Sequence, residues 1–318
     1  MGGIGVPGHP PLSALARSAN MFTFRIQGYA IVSIETGILY VVATPIGNLE
    51  DVTLRALQVL RDVDLILAED TRISTRLLRR FGITTPIRAF HEHNERRVAP
   101  EIAAKIEQGT NIALISDAGT PLLSDPGFFL TRLLRDQGKR IVPIPGPSAL
   151  ICALSVAGLP TDRFIFEGFL PPKREARRHR LRALAEESRT LVVYEAPHRI
   201  RATIEDMTEI FGEERQAVIA RELTKTFETI RSGPLLTLES WLQENENNRK
   251  GEFVLMIGGK PKMDSAESIE AVTAEDLRTL RLLREELPLK KAVTLTARLT
   301  GRKRNDLYRL ALQAMEDS

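Results

Sequence analysis

Cysteine is almost absent from this 318-residue chain: Cys152 is the single one. No intramolecular disulfide can form, and a thiolate zinc cluster, which needs at least two cysteines, is excluded. A reducing cytoplasm is the expected setting. Long apolar runs are also missing. The longest near-apolar stretch, residues 149–159, carries Ser155. It falls well short of the ~18–20 residues that span a bilayer, so no membrane partner is expected. Net charge is small, with 44 Lys plus Arg against 41 Asp plus Glu. Hydrophobic residues at 43% and charged residues at 27% are ordinary for a globular protein and exclude a collagen, a coiled-coil rod or a wholly disordered chain.

What is present is unevenly placed. Between Lys173 and Arg182 there are six basic residues and one acid, Glu175. Between Lys290 and Arg304 there are six basic residues and no acid. Such blocks are either solvated faces or footprints for a polyanion, because Lys and Arg on phosphates release counterions and gain affinity. Two separate blocks in a near-neutral chain favour the polyanion.

Seven Gly and Pro residues crowd the first dozen positions, a composition that resists a packed core. Residues 1–36 are therefore expected to be a disordered N-terminal extension, and they make a poor signal peptide. From residue 37 to 146 short apolar runs (39–43, 65–69, 87–90, 112–116, 140–144) alternate with helical periods (54–61, 74–81, 95–108, 128–137). That spacing predicts an α/β domain with a largely parallel sheet, both faces covered by helices. Pro145-Gly146-Pro147 marks a hinge, with Pro147 expected in the first turn of a helix ending near Ala157. A second α/β domain is expected over 147–260. Beyond it, 261–318 reads as a linker followed by a small helix-turn-helix-like module. In that module Thr273 and Asp276 make a capping-box start, Gly301 ends a helix, and Asn305 caps a last helix with inner face Leu307, Leu310, Ala311 and Ala314.

Ligands of open α/β sheets bind beyond the carboxyl ends of strands. Four stretches at such ends are rich in Gly, Pro and small polar residues. In residues 44–51, Pro45 and Gly47 let the backbone approach a ligand, and the string is neither GxGxxG nor a P-loop. Residues 116–127 form a loop of a dozen residues, a length that tends to be functional. In it Asp125 is either part of a site or a plain helix cap with Pro126 in the first turn. The other two stretches are Ser148-Ala149 at the hinge, and the pair Tyr194–Arg199 and Arg221–Lys225 in the second half. His91 and His93 match no zinc spacing, and no metal is expected.

The strings LYVVATPIGNLEDVTLRALQVL, LAEDTR, FHEHNE, LISDAGTPLLSDPG, IPGPSA, VVYEAPHRI, ARELTKTFE and KGEFVLMIGG occur in this order. Together they closely resemble the bacterial 16S rRNA (cytidine-2′-O)-methyltransferase family within the tetrapyrrole methylase-like superfamily, over roughly residues 39–315. The resemblance implies two α/β domains with a cleft for S-adenosylmethionine between them. It also implies a homodimer, and a 2′-O-methylated cytidine in the decoding-centre region of 16S rRNA, within the small ribosomal subunit. By that likeness the cofactor meets Pro45 and Gly47, Asp117, Ala118, Gly119 and Ser124, the hinge at Ser148 and Ala149, and Tyr194. Candidates for the catalytic work are Asp70, Glu195, Glu222 and Lys225, with Glu69, Arg72 and His198 as further polar groups. Lys173, Arg174, Arg177, Arg178, Arg302, Lys303 and Arg304 are assigned to the RNA phosphates. A tetrapyrrole or other small-molecule substrate on the same scaffold is the rival reading.

Overall fold

Short apolar runs separated by amphipathic helices give this chain two five-stranded sheets, each with helices on both faces. The computed structural model describes residues 22–26, 29–33, 36–261, 274–305, 307–309 and 311. Strands β1 (Phe22–Ile26) and β2 (Tyr29–Ser33) pair antiparallel as a hairpin, inside the stretch expected to be disordered. Their alternation of aromatic and β-branched residues favours a strand, and the Gly- and Pro-rich start of the chain hid that signal. Residues 1–21 lie outside the described residues, as do linker residues 262–268, Thr273, Leu310 and Ala314.

The first half contains β3 (Ile38–Val42), α1 (Leu54–Asp62), β4 (Leu65–Ala68), α2 (Thr71–Arg80), β5 (Ile87–Ala89), α3 (Glu95–Glu107), β6 (Ile112–Ile115), α4 (Phe128–Asp136) and β7 (Arg140–Ile144). The sheet order is β5-β4-β6-β3-β7, and every pair is parallel. The strands read as unbroken apolar runs because both faces are covered. In β6, Ala113 and Ile115 pack with Leu57 and Leu60 of α1, while Ile112 and Leu114 pack with Ile102 of α3 and Leu130 of α4. The hydroxyl of Thr53 caps α1 by accepting from the Ala56 N–H, and Asp70 caps α2 by accepting from the Arg72 N–H.

Helix α5 (Ala149–Val156) leads into the second half: β8 (Phe164–Phe169), α6 (Arg174–Leu184), β9 (Thr190–Glu195), α7 (Ile200–Phe211), β10 (Gln216–Arg221), β11 (Thr229–Pro234), α8 (Leu235–Glu244) and β12 (Phe253–Ile257). Ser148, not Pro147, is the residue at the start of α5. The sheet order is β11-β10-β12-β9-β8, and only β8 and β9 run parallel. β10 and β11 are joined by a short loop, which permits only an antiparallel pair. One face of this sheet packs on α6, α7 and α8 through Leu181, Ile204, Met207 and Trp241. The other face packs on α5, through Val192, Val218, Val254 and Met256 against Leu150, Ala153 and Leu154. These two halves form one compact unit ending at Lys260, and Pro261–Ser318 form a second.

In the second unit, α9 (Ala274–Glu286) and α10 (Leu289–Thr300) are followed by helical residues at 304–305, 307–309 and 311. Leu280, Ala292, Val293, Leu307 and Ala311 form its core. Gly301 ends α10 in the left-handed conformation, φ 71°. Asn305 is already helical and does not cap. Arg302 donates from Nε to the buried carboxylate of Asp276 (3.1 Å), which ties the basic turn to α9 and corrects its assignment as a free phosphate contact. Lys303 and Arg304 of the same turn are exposed.

The first basic block also needs correction. Three arginines of α6 converge on Asp206 of α7, which is fully buried: Arg177 at 2.7 Å, Arg178 at 3.0 Å and Arg174 at 3.2 Å. Arg178 also pairs with Glu209. Burial alone would push the Asp206 carboxyl up, but hydrogen bonds from Arg177, Arg178 and Arg174 outweigh it and hold the group below the usual carboxylate range. Arg177, itself buried, and Arg178 therefore hold α6 to α7 and are not available to RNA phosphates. Arg174 shares the same acid from a more exposed position, and Lys173 at the head of α6 is exposed. Breaking a buried pair strands the remaining charges and costs about 3–5 kcal/mol. Asp206→Ala should lower the urea-unfolding free energy by about that amount, whereas Glu209→Ala, at the exposed end of the network, should change it by less than about 1 kcal/mol.

Candidate active site

Four carboxyl strand ends of the first sheet, those of β3, β4, β6 and β7, and one end of the second meet at a cavity of about 500 Å³. Its walls come from the 117–125 loop after β6, the 148–149 start of α5, the ends of β9 and β10, and the start of β12. A volume of this size suits a ligand larger than an amino acid. Ile46, Ala149, Leu223 and Val254 give it an apolar floor, and Glu69, Asp117 and Asp125 supply carboxylates.

The loop after β6 is pinned at both ends. The Thr44 N–H donates to the Gly119 carbonyl (2.8 Å), and the Gly119 N–H returns to the Thr44 carbonyl (3.0 Å). The Thr120 hydroxyl donates to the Pro147 carbonyl (3.0 Å) and joins this loop to the hinge. Leu122 and Ser124 have φ of 73° and 72°, and Glu222 and Thr224 on the facing loop have 53° and 65°. Non-glycine residues held there cost about 1–3 kcal/mol each and cluster at functional sites. The Asn48 N–H donates to the Thr224 hydroxyl (3.1 Å), so the 44–51 loop meets the facing loop.

Of the residues expected at the cofactor, Asp117, Ala118, Gly119, Ser124, Ser148, Ala149 and Tyr194 line the cavity; Pro45 and Gly47 do not, and Ile46 between them does. Gly47 has a different task. A Cβ there would stand 2.5 Å from Cγ of Lys225, so its lack of a side chain lets the facing loop close in. Tyr194 accepts a hydrogen bond from the Leu150 N–H through its hydroxyl (3.1 Å) and meets Phe166 and Phe169 edge-on. The Ser148 hydroxyl oxygen is buried and has no hydrogen-bond partner among the described residues.

The expected catalytic set separates. Asp70 does not line the cavity: it caps α2 and grips Arg72, whose hydrogen bonds hold its carboxyl at about 2. Its own N–H donates to Asp117 (2.9 Å). Glu195 lines the wall, yet its buried carboxylate accepts from the Thr203 hydroxyl (2.6 Å), the Ala196 N–H (2.8 Å) and Arg199. It braces the wall. Glu222 and Lys225 pair at 2.9 Å, and Lys225 also pairs with Glu252, a lining residue, at 2.9 Å. Arg72 is exposed beside Asp70, and His198 does not line the cavity.

Asp125, which was also open to a capping role, caps nothing: Gly127 stands before α4, and Pro126 lies outside the helix. Instead Asp125 lines the cavity. Burial pushes its carboxyl up to about 6, Asp117 adds repulsion, and a hydrogen bond from Ser116 only partly offsets this. Burial also raises Glu69, with Asp125 and Asp117 adding to it. Residue chemistry read along the chain missed this carboxylate cluster because its members come from two strand ends that are distant in sequence.

A carboxyl raised in the folded state binds its proton more tightly there than when unfolded. Its stabilisation is then full at low pH and declines between its ordinary value near 3.8 and about 6. Asp125→Asn should therefore raise the melting temperature at pH 7.5, with the gain shrinking to nothing near pH 4. A gain independent of pH would contradict the assignment.

Comparison with known proteins adds three findings. Residues 38–239 match the family of Tetrapyrrole (Corrin/Porphyrin) Methylases, and residues 270–315 match a domain described as the RsmI C-terminal HTH domain. Proteins named Ribosomal RNA small subunit methyltransferase I are similar over nearly their whole lengths. The one from Pseudomonas aeruginosa is 56% identical, covering 87% of this chain and 97% of its own. The one from Haemophilus influenzae is 53% identical, covering 88% and 98%. Among solved structures, a uroporphyrin-III-C-methyltransferase from Thermus thermophilus has TM-score 0.50 at 20% identity, covering 70% of this chain and 94% of its own. A cobalt precorrin-4 methyltransferase has TM-score 0.50 at 18%, with the same coverage. At such identities the structural likeness concerns the fold alone.

Proposed function

The chain belongs to the tetrapyrrole methylase family, in its ribosomal RNA small subunit methyltransferase I branch, and on that premise we propose that it methylates small-subunit ribosomal RNA with S-adenosylmethionine as donor. The acceptor is the 2′-oxygen of a cytidine ribose in the decoding-centre region of 16S rRNA. The protein acts as a cytoplasmic homodimer on RNA within the small subunit. The observation that carries this reading is the 56% identity to a relative of that name over 97% of its length. The rival tetrapyrrole substrate rests on fold likeness alone.

The cavity fits the donor. Its volume and apolar floor suit an adenosyl group, the unpartnered Ser148 hydroxyl and the start of α5 offer polar contacts, and the carboxylates face a cationic ligand. Ala118, Gly119, Ser148, Ala149 and Tyr194 would hold it, and when bound it supplies an electrophilic methyl carbon on a positively charged sulfur. The protein's own part is alignment and proton handling. The pinned 117–125 loop and the Tyr194–Leu150 contact keep the walls in one geometry, and such positioning removes much of an in-line displacement barrier. The positive φ at Leu122 and Ser124 is a conformation an unconstrained chain would abandon, and the contacts that pin the loop impose it. The 2′-hydroxyl becomes acidic only as its oxygen is alkylated, so a base with proton affinity near the working pH serves best. Asp125 meets that condition from a cavity-lining position, whereas Asp70 and Glu195 are committed to other partners. Lys225 is shared between Glu222 and Glu252 and holds the facing loop.

Incubation with labelled donor and 30S subunits or 16S rRNA should place one 2′-O-methyl on a cytidine, read by mass mapping of nuclease fragments. Label appearing only in a corrinoid or porphyrinoid would overturn the reading. Ala118→Trp should fill the cavity and abolish donor binding by calorimetry. Asp125→Asn should keep donor binding and lower kcat by about 10²–10⁴-fold, removing a rise in rate through about pH 6. Light scattering of the wild-type protein tests the dimer.

A further inference from the structure

Helix α2 carries a charge pattern that the reaction leaves unused. It holds four arginines and no acid. Ser74, Leu77 and Leu78 are buried, while Arg72, Arg76, Arg79 and Arg80 are all exposed. Spacings of four and three residues put these guanidinium groups on one face, over a length of ~12 Å at ~1.5 Å per residue. Arg61 of α1 extends the row, because its guanidinium donates to the Phe81 carbonyl at the end of α2 (3.2 Å). The acids on these two helices and their caps are occupied: Asp70 by Arg72, and Asp62 by the Gln58 amide (2.8 Å). Arg76, Arg79 and Arg80 have no acidic partner among the described residues.

Helix stability does not explain this row. Arg79 and Arg80 suit the last turn and the helix dipole, but Arg72 lies in the first turn and Arg76 at the middle. The pairs Arg72/Arg76 and Arg76/Arg80 are like charges at i,i+4, which oppose helix formation. The position of the row is informative as well. Helix α2 leaves the carboxyl edge of the first sheet directly at Asp70, whose N–H is held by the cavity-lining Asp117. The arginines of α6, by contrast, are largely consumed by Asp206 and Glu209.

Resting on the reading of this chain as an rRNA methyltransferase, we infer that the outer face of α2, extended by Arg61, is a seat for the phosphate backbone of the substrate RNA, beginning next to the cavity at Asp70 and running away from it along the helix. RNA phosphates are the partner this surface fits: Arg76, Arg79 and Arg80, exposed and without an acidic partner among the described residues, offer charge and bidentate donors.

The test is filter binding of full-length protein to 16S rRNA across a salt series, comparing wild type with Arg76→Glu/Arg79→Glu. A comparator, Arg135→Glu/Arg163→Glu, makes the same charge change on exposed arginines elsewhere. Losing two phosphate contacts should flatten the slope of log K against log salt by ~1.4–1.8 and weaken binding at least about fivefold near 150 mM salt. Donor affinity by calorimetry should stay unchanged, and the comparator should lose clearly less. Wild-type affinity and slope in the α2 variant, or equal loss in the comparator, overturn the proposal. Should the reversed variant fail to bind donor, Arg76→Gln/Arg79→Gln decides on the same two readouts. The two readings fail separately. RNA binding by wild type without methyl incorporation sinks the methyltransferase function and leaves the α2 surface standing. Normal RNA affinity in the α2 variant of an active enzyme sinks only the surface.

Discussion

Everything at the cavity depends on one apolar seam. Leu150, Ala153 and Leu154 of α5 pack under the second sheet, and Ile46, from the first loop of the first half, enters the same cluster beside Leu223. This contact holds the carboxyl edge of one sheet against an end of the other. Polar clamps then set the fine geometry on top of it: Tyr194 to the Leu150 N–H, Thr120 to the Pro147 carbonyl, and the Thr44–Gly119 bridge. Burial of apolar surface supplies the adhesion but has no direction, and hydrogen bonds supply the register. Without the seam, the carboxylates of the 117–125 loop would stand in open water and titrate ordinarily.

The electrostatics divide into a structural part and a working part. Asp206 and Glu195 are both buried carboxylates, yet each is surrounded by guanidinium or hydroxyl donors and serves to join elements. Burial raises the proton affinity of Glu69, Asp117 and Asp125, and neighbouring carboxylates add to it. A group saturated with partners braces the wall, whereas a group short of partners at a cavity is free to exchange a proton or meet a cation.

Charge counted along the chain was a poor guide to charge available at the surface. The block from Lys173 to Arg182 looked like a polyanion footprint, and much of it faces acids of α7 and β8 that lie 13–32 residues away. The four arginines of α2 are spread over residues 72–80 among uncharged residues, and on the helix they share one exposed side. Helical spacing decides which charges add, and long-range packing decides which cancel.

The sequence alone was enough for the α/β alternation, most element boundaries to within a few residues, the hinge at 145–148, the helical tail and the loops that line the cavity. Those features are local: apolar period, Gly and Pro at turns, and small residues where backbone must approach a ligand. The seven lining residues from Asp117 to Tyr194 lie on those loops, and their assignment to the cofactor comes from the family resemblance. Only the tertiary structure decided the mixed second sheet, the bracing role of Glu195, the loop-packing role of Gly47, the strained φ at Ser124 and Glu222, and the shared burial that sets Asp125 apart. Each of these rests on contacts between residues far apart in the chain, and no local pattern encodes a neighbour that arrives from another strand.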